Sequence, residues 1–178
     1  MNSINQNQEE QNHQDLDNAS AIKKIKELAD IANTCFFSTQ ASSAPSRGTR
    51  PMSVQQVDDQ GNLWFLVAND SHTYEDIQSN EEVKLYFQGS AHSDFLYLEG
   101  EATLSADPAK IKELWQPILK TWFTEGENDS RIAVIRFTPA NGYYWDNKHG
   151  NAIAGIKMLV GAVIGKTLDD SIEGDLTV

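Results

Sequence analysis

The chain has 178 residues, 39% of them apolar, a formal net charge of −12 at pH 7 and one cysteine, Cys35. This length favours a single domain with a substantial buried core. The negative charge argues against nucleic acids and anionic membrane surfaces as partners, because both are bound through basic clusters. A lone cysteine excludes an internal disulfide and a metal site built from several cysteines.

The first 18 residues are polar and contain no aromatic side chain. We predict a disordered tail over residues 1–18, because such a segment buries too little apolar surface to offset its ordering entropy. The folded domain is then expected over residues 19–178. No signal-peptide pattern is found, and the apolar run at 152–165 is interrupted by Lys157 and too short for a bilayer. We therefore expect a soluble cytoplasmic protein without a membrane partner.

The first helix is predicted to begin at Ser20, a residue type that favours N-cap positions. A strand is expected at 35–39, followed by a loop at 41–48 that is rich in Ser, Pro and Gly. The apolar positions of the helix recur at helical spacing and predict one buried face: Ile22, Ile25, Leu28 and Ile31.

Four further segments have the composition of short strands, at 49–54, 63–68, 83–87 and 95–104. The link at 58–62 contains a glycine and favours a hairpin. Several short strands separated by turns indicate an antiparallel barrel or sandwich, because alternating strand–helix units are missing from the pattern.

The second half of the chain begins with a strong helix start, Asp107 followed by Pro108. We expect Pro117 to interrupt this helix. Two strands, an amphipathic segment and an exposed acidic end complete the predicted elements, at 131–137, 142–145, 153–164 and 169–175.

The polar turn at 69–73 lies between a predicted strand and the short helix predicted at 74–79. Backbone N–H groups at a helix start, with the hydroxyls of Ser71 and Thr73 beside them, form a seat for a phosphate. Arg50 on the neighbouring strand supplies a positive charge that completes it. The sequence therefore predicts a site for a phosphorylated, flat, partly apolar ligand.

Other chemical signatures are weak. Glycine-rich nucleotide fingerprints and metal-binding histidine spacing are missing from the sequence, so we predict no metal site and name no catalytic residue. His72 is retained because an adjoining phosphate favours its charged form. Cys35 is interpreted as a buried packing residue. Trp115 and Trp122 are candidates for ligand or interface contacts, with core packing as the alternative.

Seven segments carry a family resemblance: Arg50-Pro51-Met52, Gly61-Asn62-Leu63-Trp64-Phe65-Leu66, Ser71 with the helix after it, Glu99-Gly100-Glu101-Ala102, Asp107 through Trp115, Trp122-Phe123-x-x-Gly126 and Tyr143-Tyr144-Trp145-Asp146. In this order, the chain from about residue 20 onward resembles the general stress protein branch of the pyridoxamine 5'-phosphate oxidase-like, FMN-binding split barrels. Each segment alone is weak evidence, whereas their joint order and spacing are fairly specific.

The resemblance implies a mainly β fold, a six-stranded antiparallel split β-barrel of Greek-key type with peripheral helices. It also implies a homodimer with FMN in a groove between the subunits. The implied cofactor contacts are Arg50, Pro51, Met52 and Ser53 on one strand, Leu66, Val67 and Ala68 on another, Ser71, His72 and Thr73 at the phosphate, and Trp115 and Trp122 from the other subunit.

Two positions depart from the family pattern. Family members often have a Lys near Thr73 and a Thr where Ala68 stands. In this chain Glu75 and Asp76 lie near Thr73 in sequence, and no Lys or Arg does. Acidic residues suit a helix start, but they repel a phosphate.

The leading functional prediction is an FMN-binding oxidoreductase that acts on a small molecule with a nicotinamide donor. The flavin would supply the chemistry, and the protein would orient it and exclude water. Two alternatives remain open: a non-catalytic flavin-binding or sensing protein, and a dimeric scaffold that has lost its flavin.

Overall fold

The structure, a computed structural model, describes residues 12–40, 48–148 and 170–178. The strands in these ranges are β1 (Leu16–Asp17), β2 (Thr34–Thr39), β3 (Thr49–Ser53), β4 (Gln56–Val57), β5 (Leu63–Ala68), β6 (Glu82–Gln88), β7 (Phe95–Ser105), β8 (Ile132–Asn147) and β9 (Ser171–Thr177). The α-helices are α1 (Asn18–Ala32), α2 (His72–Ser79) and α3 (Pro108–Leu114). Two 3-10 turns follow α3, at Pro117–Thr121 and Gly126–Asn128.

One mixed sheet contains all of these strands, in the order β1-β9-β8-β7-β6-β2-β3, with β5 joined to β8 and β4 joined to β5. Every pair is antiparallel except β1 with β9. Within the described residues β3 and β5 do not pair with each other, so the sheet stays open between them. The predicted mainly β fold with peripheral helices is therefore confirmed, whereas the six-strand count and the Greek-key order stay predictions.

Alternation along β5 explains how the sheet is covered on both sides. Leu63, Phe65 and Val67 are buried in the main core, where the Phe65 ring packs edge-on to Phe37 with centroids 5.3 Å apart. Successive side chains of a strand point to opposite faces. The other β5 side chains therefore face α3, which covers them from outside. Helix α1 closes the main core with Ala21, Ile25, Leu28 and Ala29.

The predicted hairpin turn at 58–62 is present. Asp58 Oδ1 accepts hydrogen bonds from the backbone N–H groups of Gln60 and Asn62, both at 2.9 Å. Gly61 has a φ of +82°, a left-handed conformation that glycine adopts at little cost. The partner of β5 in this hairpin is the short strand β4, because the chain leaves the β3 ladder after Ser53.

The C-terminal end differs from the sequence prediction. Residues 171–175, predicted as part of an exposed acidic end at 169–175, belong to strand β9, which spans Ser171–Thr177 and pairs with β8. The two predicted strands at 131–137 and 142–145 are one continuous strand, β8. Leu176 is 1% exposed and Ile172 also packs against the core, so these two apolar residues anchor β9 despite its acidic composition.

Part of the predicted tail also lies against β9. Residues 12–17, assigned to the tail from sequence, include a bridge from His13 to Glu173 and the parallel pairing of β1 with β9. Gly174 permits this approach, since a Cβ atom there would lie 1.9 Å from the carbonyl oxygen of Gln14. Residues 1–11 of the predicted tail, residues 41–47 of the predicted loop at 41–48 and the predicted segment at 153–164 lie outside the described residues.

A helix that crosses a bilayer needs a stretch of about 20 apolar residues. Among the described residues, none of the helices combines the length and the apolar character needed to cross a membrane.

Candidate functional site

The side chain of Arg50 joins β3 to helix α2. Its Nη1 donates to Thr73 Oγ1 at 2.5 Å, and its Nη2 donates to Asp76 Oδ2 at 3.1 Å. Asp76 Oδ2 also accepts a hydrogen bond from Thr39 Oγ1 at 2.6 Å. The side chains of Arg50 and Asp76 are only 18% and 10% exposed. We call Arg50, Thr39, Thr73 and Asp76 the Arg50 cluster.

Strand register explains why Arg50 reaches α2. Arg50 lies directly opposite Phe37 of β2, whose ring is fully buried in the main core. Opposed residues of an antiparallel pair share a face, so Arg50 is directed to the inner side of the sheet. The predicted contact between the Arg50 strand and the 69–73 segment therefore exists as a side-chain hydrogen bond to Thr73.

The start of α2 offers further donors beside the cluster. Ser71 is the N-cap, and its Oγ accepts a hydrogen bond from the Tyr74 N–H at 3.3 Å, which leaves its hydroxyl proton able to donate. First-turn N–H groups of a helix have no intrahelical partner. His72 is exposed and pairs instead with Glu75 at 3.3 Å, so its ring lies in solvent beside an acid.

A second arginine approaches the 69–73 turn from the start of β8. The backbone N–H of Asn69 donates to the Arg131 carbonyl at 2.8 Å, and the Asn69 side chain donates to the Ser130 carbonyl at 3.1 Å. The Arg131 guanidinium is paired with Asp129 at 2.8 Å. Hydrogen bonding from Arg131 lowers the pKa of Asp129 from 3.8 to about 2, although desolvation opposes this shift. Arg131 thus has a partner of its own.

The end of β5 lies in a separate apolar environment. Leu66, Ala68 and Trp115 pack against a second cluster formed by α3, the 3-10 turn after it and β8. Trp115 packs within its own chain, with its ring centroid 6.5 Å from that of Phe123. Trp122 is 63% exposed. The buried members of the second cluster are Ile111, Leu114, Leu119, Phe123, Ile132 and Val134.

Pro51 faces the opposite side of the sheet from Arg50. It lines an open groove of about 740 Å³ on the outer surface of β3, β2, β6, β7 and β8. A cross-strand row runs from Pro51 through Phe36 and Tyr86 to Tyr97, and the two tyrosine rings lie 5.3 Å apart. Phe36, Tyr86 and Trp145 are 58%, 44% and 43% exposed. We call Pro51, Phe36, Tyr86, Tyr97 and Trp145 the aromatic face.

The predicted site residues thus fall into several environments. Arg50, Ser71 and Thr73 come together at the start of α2, as the phosphate prediction expects. Met52 packs against the main core, Val67 is buried in it, and Ser53 is exposed. Leu66, Ala68 and Trp115 pack against the second apolar cluster. Pro51 lies on the aromatic face, and His72 and Trp122 are exposed to solvent.

Three residues missed by the sequence prediction belong to this region. Asp76 and Thr39 complete the Arg50 cluster, and only the three-dimensional structure brings Thr39 to α2. Gln55 lies between β3 and β4, and its backbone N–H donates to the Trp64 carbonyl of β5 at 2.9 Å. Its Oε1 is buried and has no hydrogen-bond partner among the described residues. Such an orphaned acceptor is uncommon in folded proteins.

Two other groups with chemical potential have simple structural explanations. Burial raises the pKa of the Cys35 thiol to about 12, which keeps it protonated and confirms its interpretation as a packing residue. Donor atoms of His13, Asp15 and Asp175 lie within 4.8 Å of one another on the surface. The ion pair of His13 Nε2 with Asp15 Oδ1 at 2.8 Å accounts for this arrangement without an ion.

Comparison with known proteins places the chain in a family. Residues 20–169 match the sequence model described as pyridoxamine 5'-phosphate oxidase like. The protein bli-3 of Neurospora crassa is 25% identical over 134 residues, which is 68% of this chain and 64% of that protein. The chain therefore spans slightly less than two thirds of this relative's length.

Solved structures share the fold. A general stress protein 26 from Jannaschia sp. CCS1 superposes with a TM-score of 0.69 at 19% identity, covering 88% of this chain and 95% of the other. A protein described as a general stress FMN/FAD binding protein, from Xanthomonas citri, gives a TM-score of 0.56 at 23% identity, with 67% and 82% coverage. With the match over residues 20–169, the chain belongs to the pyridoxamine 5'-phosphate oxidase-like family.

Proposed function

We propose that this protein binds FMN, with the phosphate held at the Arg50 cluster and the start of α2. The observation that supports this most strongly is the hydrogen bond from Arg50 to Thr73, which links two segments that the sequence analysis assigned to one phosphate site. A guanidinium beside a helix N-terminus combines a fixed cation with free backbone donors. This is the donor set that a phosphate needs.

The residues present fit this cofactor in two respects. Arg50 donates one N–H to Thr73 and one to Asp76, and within the described ranges its other N–H groups have no partner and could bind phosphate oxygens. The buried Oε1 of Gln55, which lacks a partner among the described residues, could accept a hydrogen bond from an N–H donor such as that of a flavin ring. The Asp76 carboxylate repels the phosphate, so FMN binds either with Asp76 moved away from Arg50 or with a weaker affinity.

We further propose that the protein is a flavin-dependent oxidoreductase for a small molecule. A bound flavin supplies the electron transfer, whereas the chain binds it, orients it and excludes water from it. Arg50, Ser71 and Thr73 would bind the phosphate. The apolar residues of β3 and β5 would shape the surroundings of the ring.

A second candidate is a family member that has lost its flavin. The pairing of Arg50 with a largely buried Asp76 favours this alternative, since the cation already has an anionic partner. Such a protein would keep the fold and bind added FMN weakly or not at all.

We also propose that the protein forms a homodimer through the aromatic face. Phe36, Tyr86 and Trp145 are each more than 40% exposed, and they lie on neighbouring strands of one sheet surface. Contiguous exposed apolar patches usually mark interaction sites. A second copy of the chain would cover this patch.

Absorption spectroscopy of the purified protein tests the oxidoreductase proposal. We expect a flavin spectrum after reconstitution with FMN and gel filtration, and bleaching of that spectrum when NADH or NADPH is added without oxygen. A protein that retains FMN but is reduced by neither donor would favour a non-catalytic flavin-binding role. A protein that retains no FMN would favour the scaffold.

A further inference from the structure

We propose that Asp76 acts as a resident anion of the Arg50 cluster and weakens the binding of a dianionic phosphate at this site. Its carboxylate accepts a hydrogen bond from Arg50, with Nη2 to Oδ2 at 3.1 Å, so a phosphate that binds the remaining N–H groups lies beside an anion. The proposal rests on the proposed function and deepens it in ligand affinity: FMN binds here more weakly than it would beside a neutral residue, because the carboxylate repels its phosphate.

The Asp76 carboxylate is held by Arg50 of β3 and by Thr39 of β2. Thr39 Oγ1 donates to the same oxygen, Oδ2, at 2.6 Å, and Thr39 Oγ1 is itself 3.0 Å from the Gly48 carbonyl oxygen. The Asp76 side chain is 10% exposed, so it has little access to solvent. A carboxylate held in this way does not swing aside freely when a ligand arrives.

Charge then decides which ligands the site accepts. A phosphomonoester such as that of FMN carries about −1.5 to −2 charges near neutral pH. A phosphodiester carries a single negative charge, and the ribityl chain of riboflavin carries none. Repulsion from a partly buried carboxylate grows with the charge of its neighbour and is weakly screened there. Asp76 therefore penalises FMN more than a phosphodiester, and a phosphodiester more than riboflavin.

Glu75 provides a matched control on the same helix. It precedes Asp76 by one position, but its side chain is 66% exposed and its partner is His72. Glu75→Gln and Asp76→Asn change the net charge equally and preserve side-chain shape. The amide introduced by Asp76→Asn keeps an oxygen able to accept from Thr39 and Arg50. A difference between the two variants therefore reports the position of the charge.

The experiment measures the affinity of wild type, Asp76→Asn and Glu75→Gln for inorganic phosphate, by 31P NMR, and for FMN and riboflavin, by flavin fluorescence. We expect Asp76→Asn to bind phosphate and FMN at least about tenfold more tightly than wild type, with riboflavin changed less than about twofold. Glu75→Gln should change all three affinities by less than about twofold. The ratio of riboflavin to FMN dissociation constants should therefore rise only in Asp76→Asn.

The outcomes separate this proposal from the flavin function. If Asp76→Asn gains phosphate affinity while neither flavin binds any variant, the resident-anion proposal stands and the flavin function fails. If flavin binds and Asp76→Asn equals wild type for phosphate and FMN, the flavin function stands and the proposal is overturned. Undetectable phosphate binding to both wild type and Asp76→Asn also overturns the resident-anion proposal. Should Asp76→Asn fail to fold, Thr39→Val releases the carboxylate without changing charge, and unchanged phosphate affinity in that variant overturns the proposal.

Discussion

Replacing Arg50 by alanine removes the guanidinium that contacts both Thr73 and Asp76. A charge-assisted hydrogen bond to phosphate is worth about 1.5–3 kcal/mol, so Arg50→Ala should weaken FMN binding roughly 10- to 150-fold. The substitution also leaves the 10% exposed carboxylate of Asp76 without its cation. For a pair that is buried only in part we expect a stability cost of about 1–3 kcal/mol, between the values for exposed and fully buried pairs.

Fluorescence titration of FMN gives the binding effect, and urea unfolding gives the stability effect. Arg136→Ala is the matched control, because Arg136 is an exposed arginine on β8 and its loss changes net charge equally. A double-mutant cycle with Asp76→Asn isolates the interaction of the pair. Equal FMN dissociation constants for Arg50→Ala and Arg136→Ala would refute the assignment of Arg50 to the site. Strict additivity in the cycle would refute its coupling to Asp76.

Three further predictions concern the rest of the chain. Deleting residues 2–17 should lower the Tm by about 2–4 °C or more, because residues 12–17 bond to β9; a Tm equal to that of wild type in calorimetry would contradict this. Phe36→Asp should give a monomer in light scattering while the fold is kept, since Phe36 is 58% exposed in the single chain; monomeric wild type at micromolar concentration would contradict the dimer. Arg131 lowers the pKa of Asp129 from 3.8 to about 2, so this pair stabilises the fold above pH 3.8 and ceases to do so as the pH falls through about 2. Asp129→Asn should therefore lose stability mainly above pH 4, and parallel pH profiles for the variant and wild type would contradict this.

Local sequence signals predicted several elements well because their causes are local. The span 63–68 agrees with β5, since strict alternation of buried and outward side chains defines a strand without reference to its partners. Asp107 is the N-cap of α3 as predicted, with its Oδ1 accepting from the Ala109 N–H at 2.9 Å. The first helix begins at Asn18 instead of Ser20, and its N-cap Asp17 makes no side-chain capping bond.

Long-range pairing could not be predicted in the same way. Strand β9 is rich in acidic residues, and it forms because β8 and residues 12–17 supply hydrogen-bond partners that are distant in sequence. The Arg50 cluster likewise depends on contacts between residues that are distant in sequence. Arg50 and Thr73 were identified from residue type, whereas Thr39 becomes a neighbour of Asp76 only through the packing of α2 on β2. No local pattern marks such contacts.

The 31P NMR signal of FMN tests whether the Arg50 cluster holds the phosphate, because it reports on the phosphate itself. With equimolar wild-type protein we expect a shifted and broadened phosphorus resonance, and with Arg50→Ala a sharp resonance at the free position. A free, sharp phosphorus signal in the presence of wild type, at protein concentrations that quench the flavin fluorescence, would show that the ring binds while the phosphate lies away from Arg50. That result would contradict the assignment of the Arg50 cluster as the phosphate site.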